Sequence, residues 1–393
     1  MFKYNSNLVL SKSWINRALI IQFYQSKPKL AFDSDSEDVK FLKNAIAQIG
    51  RSSTFFLGEG GTSFRFFCLL ISRHPGEWTV QGNPRLLERP QKSLKEILNQ
   101  IGVDCEFYDS KVTLKSKGWE IPQKITFDAR ESSQFASALI LNSWGLKKKL
   151  HIEIIKPITS LNYLKMTFLM LEKYGLKYSL LEDEQCLNLQ IDQGQLPAAN
   201  AVIPEVDISS AFSLASAAVI NGEVKITNWE TDSIQPDVVF LNYFKKMKIN
   251  FEIDGNILTI LKHKSWDCLT ADLGQSPDLF PVLCVLCALA LGTSNLYGAK
   301  QLQFKESNRL LKTKELLDLV GFRSELKEDG IIIHGQSSIL DKKLEFKFDP
   351  DNDHRMAMAA GLLKLAGYNI HILQPEVVQK SYPKFWHDIQ VVP

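Results

Sequence analysis

The sequence predicts an α/β protein of two inverse α/β domains, each built from three βαβαββ-type repeats, with helices inside and half-exposed sheets outside. Three observations predict it. Six segments open with small or polar residues and continue into an apolar helix, at Ser13, Thr62, Ser132, Asp207, Asp278 and Asp353, spaced 49, 70, 75, 71 and 75 residues apart. A fixed period means one supersecondary unit used repeatedly. Several of these opening helices, such as 66–71 and 279–291, are apolar nearly all round, which implies burial on every side. Pairs of short strands with polar alternation follow in most copies, so one sheet face meets water.

The copy that begins at Asp207 shows the order most fully. Its opening helix is expected over 209–220 and ends at Asn221-Gly222, a C-cap signal. A strand follows at 223–229, then a second helix at 237–247. Two alternating strands come next, 250–253 and 257–261, with Asp254-Gly255 between them as a hairpin signal. Second helices are also expected at 94–101, 163–174 and 310–320, followed by Gly102, Gly175 and Gly321 and then a strand pair. Three repeats closing around each helix cluster give one domain over 10–204 and another over 1–9 plus 205–393. The first repeat is shortened. Between Gly50 and Gly58 only 52–57 remains, room for about one strand, where other copies hold a hairpin. One outer sheet of the first domain should be thinner there, with an edge that another element must cover.

A chain of 393 residues exceeds one comfortable core, which agrees with two domains. Its 45% hydrophobic and 23% charged residues are those of a soluble globular protein. A net charge of +2 without a long basic run argues against a nucleic-acid partner. Residues 1–7 are polar and do not read as a signal peptide. The longest apolar run, 279–291, contains Pro281 and falls short of the ~20 residues of a bilayer span, so no membrane partner is expected. The six cysteines sit mostly in apolar segments and read as free thiols of a reducing cytoplasm. Cys284 and Cys287 have metal-like spacing, but apolar neighbours make core packing the expectation, with no metal.

Parallel opening helices would point their N-termini, with free N–H groups and partial positive charge, in one direction. Such ends bind phosphate and carboxylate. Beside them lie Lys12, Ser13 and Arg17; Gly60, Gly61, Thr62 and Arg65; Ser132, Ser133 and Gln134; Asp278; and Asp353, His354 and Arg355. Loops add Arg85, the run from Lys305 to Arg309, and Lys380. The inventory suits substrates with more than one phosphate or carboxylate, with Asp278 and Glu306 as candidate proton carriers. Taken singly, each site is as readily a cap, a turn or a solvated cation.

Together the segments SKSWINRAL (11–19), GEGGTSFRF (58–66), GNPRLLERP (82–90), SSQF (132–135), SPD (276–278), KESNRL (305–310), NDHRMAM (352–358) and Lys380 in VQKSYP resemble the 5-enolpyruvylshikimate-3-phosphate (EPSP) synthase family, in order along the chain. The resemblance implies the enolpyruvyl transferase fold. It also implies transfer of the enolpyruvyl group of phosphoenolpyruvate to the 5-hydroxyl of shikimate 3-phosphate, by addition and then elimination, without metal or cofactor. Asp278 would take the hydroxyl proton. Glu306, with Lys12, would handle the proton at the phosphoenolpyruvate methylene carbon. Lys12, Gly61, Arg85, Gln134, Arg309, Arg355 and Lys380 would hold phosphoenolpyruvate. Lys12, Ser13, Arg17, Ser132, Ser133, Gln134, Asp278, Gln301 and Lys305 would hold shikimate 3-phosphate. Gly61 is the residue of the glyphosate-sensitive members, which implies glyphosate as an inhibitor. Monomer and cytoplasm are the family's usual state and place.

Several positions depart from the family pattern. Leu10 stands for a usual Gly, Glu59 for Asn, Ile155 for a serine that meets the substrate phosphate, Ile158 for an aromatic hydroxyl, and Gln301 for Asn. A carboxylate at Glu59 should weaken anion binding unless it is paired. These changes keep two alternatives open: a weakened or inactive anion-binding homologue, and a transferase with an altered acceptor. The related transferase that acts on UDP-N-acetylglucosamine fits less well, because 78–90 lacks its cysteine.

Overall fold

The computed structural model describes residues 1–25, 34–199 and 203–393. The chain forms two compact units, Lys12–Pro204 and Met1–Ser11 with Glu205–Pro393, called the N-terminal and C-terminal units below.

In the N-terminal unit the opening helices Lys12–Phe23, Gly61–Ser72 and Gln134–Leu141 pack on one another. Every residue of Gly61–Ser72 except Thr62 is buried, as an all-round apolar helix requires. Two four-stranded sheets lie outside them. One runs Thr54–Phe56, Gly76–Gln81, Lys111–Ser116, Asp104–Phe107; the other runs Ile125–Asp128, Leu150–Ile155, Cys186–Ile191, Tyr178–Glu182. In both, the strand entering an opening helix pairs in parallel with the strand leaving it, and a hairpin then adds antiparallel pairs. A helix is the natural connection between parallel neighbours. Val112 and Leu114 face inward while their strand neighbours are exposed or half-buried, the expected alternation.

The C-terminal unit repeats this plan. Ile208–Asn221, Phe280–Leu289 and His354–Leu365 form its helical core. Its two four-stranded sheets are led by Phe2–Ser6 and Thr270–Asp272, and a third holds only Glu345–Phe348 and Asn369–Ile372. Cys284 and Cys287 are buried among Leu and Val of this core, and burial pushes both thiols up, to about 12 at Cys287. Among the described residues no helix is long and apolar enough to cross a membrane.

The shortened first repeat appears as expected between Gly50 and Gly58: only Thr54–Phe56 is a strand. That strand pairs with Gly76–Gln81 and so opens the second repeat. The described residues of the first repeat therefore hold no strand pair at all. Helix Glu37–Ala47 covers the exposed end instead, with Phe41 edge-on to Phe56 at 5.3 Å. The sixth repeat lacks its hairpin too, since its sheet stops at two strands.

One local expectation fails. Gly222 does not cap the helix in a left-handed conformation; its φ of −155° starts the strand Gly222–Ile226 directly. A Cβ there would sit 2.2 Å from the Phe2 ring, so glycine is needed for the close approach of Phe2–Ser6. The Asp254-Gly255 signal lies one residue early: Asp254 pairs with Ile257, and Gly255, at φ +56°, turns the chain with Asn256.

Candidate active site

Each unit carries its own cluster of the residues singled out from the sequence. In the C-terminal unit Arg309 is the hub. Asn308 caps its helix by accepting from Leu311 N, which places Arg309 in the first turn. The guanidinium is 1% exposed. Its Nε and Nη2 donate to Asp353 (2.7 and 3.2 Å), its Nη1 to Asp278 Oδ1 (2.9 Å) and its Nη2 to Glu306 Oε2 (2.9 Å). Arg355 Nη2 meets Asp278 Oδ2 at 3.0 Å, Lys305 meets Asp278 Oδ1 at 3.4 Å, and Lys380 meets Glu306 Oε1 at 3.4 Å. Asp353 also caps helix His354–Leu365 through Arg355 N and accepts from Ser307 Oγ. Four cations thus surround three carboxylates, an arrangement that leaves cationic charge for an incoming anion. A buried ion pair is tolerated only when so completely hydrogen-bonded.

Burial would raise the Asp278 carboxyl, but Arg355, Lys305 and Arg309 outweigh it and hold it well below the ordinary carboxylate range. Burial opposes the Arg309 charge, and Asp353, Glu306 and Asp278 more than restore it. Sequence reasoning missed Asp237, which is fully buried and accepts from Ser209 Oγ. Burial first, then the charge of Asp278, push it up to about 6. No sequence signal separates it from a surface Asp following Pro236. Gln301 donates to Gly274 O (3.1 Å) and is half-buried.

In the N-terminal unit Lys12 starts the opening helix and pairs with Asp38 Oδ2 at 2.9 Å. Arg17 is buried and braces the helix cluster: it donates to Thr167 Oγ1 (2.8 Å), Ser13 O (2.7 Å) and Tyr163 O (3.1 Å). Burial lowers its charge preference to about 10, with Tyr163 acting the other way. Ser133 Oγ donates to Ser160 O (3.0 Å), and Ser132 Oγ accepts from Gln134 N (3.2 Å). Gln134 Oε1 accepts from Arg65 Nη1 at 2.5 Å, and the Arg65 guanidinium lies 4.8 Å over the Phe135 ring.

Arg85 is not brought to this cluster. It is exposed and pairs with Glu88 at 3.2 Å. Arg89 is brought there instead. It is 8% exposed, and among the described residues its Nε and Nη1 have no hydrogen-bond partner. A Cβ added at Gly61 would lie 2.8 Å from Arg89 Nη1 and 3.0 Å from Arg65 Nη1, so Gly61 lets two guanidiniums approach one helix start. Arg89 ends the short helix Pro84–Glu88 in an extended conformation (φ −64°, ψ 150°) and precedes Pro90, whose carbonyl accepts from Arg65 Nη2. The Arg-Pro pair was the available signal. Glu59 accepts from the neutral amide Asn83 Nδ2 at 2.6 Å, which fixes the carboxylate without offsetting its charge. Ile155 is 37% exposed, and Ile158 is buried.

The sequence profile described as EPSP synthase (3-phosphoshikimate 1-carboxyvinyltransferase) matches residues 31–389, leaving Lys12, Ser13 and Arg17 outside the match. A 3-phosphoshikimate 1-carboxyvinyltransferase of Dehalococcoides mccartyi is 32% identical over 91% of this chain and 82% of its own. One of Vibrio cholerae is 27% identical over 97% of this chain and 94% of its own. Among solved structures, EPSP synthase from Acinetobacter baumannii superposes with a TM-score of 0.73 at 20% identity, covering 99% of this chain and 95% of that one. The enolpyruvyl transferase NikO from Streptomyces tendae gives 0.72 at 11% identity, covering 99% and 94%. At such identities the structural likeness speaks to the fold.

Proposed function

The chain belongs to the EPSP synthase family, and from that premise we infer that it transfers the enolpyruvyl group of phosphoenolpyruvate to the 5-hydroxyl of shikimate 3-phosphate, releasing phosphate. The observation that carries the residue assignment is the Arg309 hub, where three carboxylates, Asp278 and Glu306 among them, meet four cations.

In this reading Asp278 accepts the proton of the attacking 5-hydroxyl as the oxygen bonds to the central carbon of phosphoenolpyruvate. Glu306 and Lys12 deliver a proton to the methylene carbon. Elimination returns that proton to Glu306 and Lys12 and expels phosphate, which leaves with the proton that Asp278 took from the hydroxyl, so protons balance. A carboxylate held far below its ordinary range is a weak base. Arg355 and Lys305, the groups that hold it there, are the cations assigned to substrate anions. Drawing them onto substrate would raise the Asp278 proton affinity when the base is needed. Arg355, Arg309, Lys380 and Gln134 hold phosphoenolpyruvate. The buried Arg89 beside Gly61, whose Nε and Nη1 lack a partner among the described residues, takes the part first expected of Arg85. Arginine forks suit phosphate and carboxylate because two parallel N–H bonds meet two oxygens. Ser13, Arg17, Ser132, Ser133, Gln301 and Lys305 hold shikimate 3-phosphate.

Glyphosate competes at Gly61, where no side chain intrudes on the two guanidiniums. Six free cysteines support a reducing, cytoplasmic setting. The test is phosphate release from phosphoenolpyruvate plus shikimate 3-phosphate, with Asp278→Ala as control. Release well above the control is expected; equal release would overturn the reading.

A further inference from the structure

Four hairpins occupy equivalent places in this fold, and each gives its sheet an edge strand: Asp104–Phe107, Tyr178–Glu182, Phe251–Asp254 and Ser324–Lys327. Three of them carry charges at both solvent-facing positions: Asp104 and Glu106, Glu252 and Asp254, Glu325 and Lys327. Such charges keep an open edge from pairing with another chain. The fourth differs. Tyr178, Leu180 and Glu182 pair with the buried Ile191, Leu189 and Leu187, so they share the inner face. The outer positions are therefore Ser179 and Leu181, and Leu181 is 70% exposed. Leu180 is 40% exposed, and Leu169 is exposed on the helix whose Phe168 stacks on Tyr178.

The backbone of this edge is self-complementary. Lys156 N donates to Gln185 O, and Asp183 N donates to Cys186 O. In an alternating antiparallel ladder this turns the N–H and C=O groups of Ser179 and Leu181 toward the neighbouring strand. Those of Tyr178, Leu180 and Glu182 point outward. The outward set is symmetric about Leu180. A second copy laid antiparallel across a two-fold axis there sets Tyr178 opposite Glu182, Ser179 opposite Leu181 and Leu180 opposite itself, with roughly six new backbone hydrogen bonds. The flanking residues then oppose Lys177 to Asp183, a favourable pair on each side of the axis.

We propose that the Tyr178–Glu182 edge is a self-association surface, which pairs two copies of this chain into a two-fold dimer through an eight-stranded continuous sheet. Two-fold closure uses the same patch on both copies and leaves no further edge to propagate. The contact is small, so the dimer is concentration-dependent, and it departs from the monomeric state that the family resemblance implies.

Sedimentation equilibrium of the full chain across the micromolar range tests it. The wild-type mass should rise from one chain to two, while Leu181→Lys, which restores the charged pattern of the other edges, stays at one. That variant lies outside the core and the catalytic clusters, so its melting temperature and phosphate release should match wild type. Under mild oxidation Leu180→Cys should give a disulfide-linked dimer, because opposed hydrogen-bonded residues sit about 5.5 Å apart; Ser179→Cys should not. A wild-type chain of one mass at every concentration would overturn the proposal. So would a dimer indifferent to Leu181→Lys, or an edge that takes up only a foreign extended peptide.

Discussion

The two charge clusters are built on opposite principles. Around Arg309 every named cation meets a carboxylate, and three carboxylates offset all but one of the four positive charges. Around Gly61, Arg65 donates to neutral oxygens, and Arg89 has two buried nitrogens without a partner among the described residues. The first cluster can exchange protons and cations among its members. The second can gain only by receiving an anion. A burial map alone would score both as buried arginine; what separates them is the charge of the acceptors.

The largest test of this contrast is Arg309→Met. Removing the hub strands three carboxylates, so stability should fall by about 3–5 kcal/mol in urea denaturation, and phosphate release should vanish. Arg89→Ala should do the reverse. Its stability should hold or rise, because two buried nitrogens without a partner among the described residues are gone, while kcat/KM for phosphoenolpyruvate falls ~100-fold, equivalent to about 2.7 kcal/mol. Equal destabilisation by the two substitutions would erase the distinction.

Asp237→Asn gives a smaller, pH-dependent effect. The folded carboxyl titrates near 6, above its ordinary 3.8, so the fold favours the protonated form. Its ionisation therefore destabilises the fold: the penalty is absent at low pH, grows as pH rises from the ordinary value toward the folded one, and is complete above it. The substitution should stabilise by about 1–3 kcal/mol at pH 8, with the gain shrinking toward nothing below pH ~4. Thermal melts at both ends measure it. The smallest effect belongs to Arg85→Ala, an exposed pair with Glu88. It should alter KM for phosphoenolpyruvate less than ~2-fold, as exposed ion pairs contribute little. A loss as large as that of Arg89→Ala would return Arg85 to the site.

Most of the architecture was legible because opening helices must be apolar on all sides and recur at a period. The trimmed first repeat was legible from chain length alone. The carboxylates Asp278 and Glu306 were legible from their place beside helix starts and basic runs. Arg85 and Arg89 lie four residues apart around a five-residue helix, and only Pro90 marked Arg89 as the one with extended backbone. Only the extended backbone at Arg89 decides which one turns inward. Asp237 was hidden for another reason: the groups that bond and perturb it, Ser209 and Asp278, are distant in sequence. Gly222 read as a helix stop, since nothing local announces that Phe2 will lie against it.

That last contact governs how the molecule can be made. Phe2–Ser6 pairs along its whole length with Gly222–Ile226, so this strand waits for a partner synthesised far later. Closing so long a loop slows folding. The N-terminal unit can form while the leading strand waits, but the C-terminal unit cannot complete its sheet until that strand arrives. A fragment beginning at Glu205 would hold an empty strand slot. A separate peptide of Met1–Ser11 would be the piece that fills it, making fragment complementation a direct assay of the order in which this chain folds.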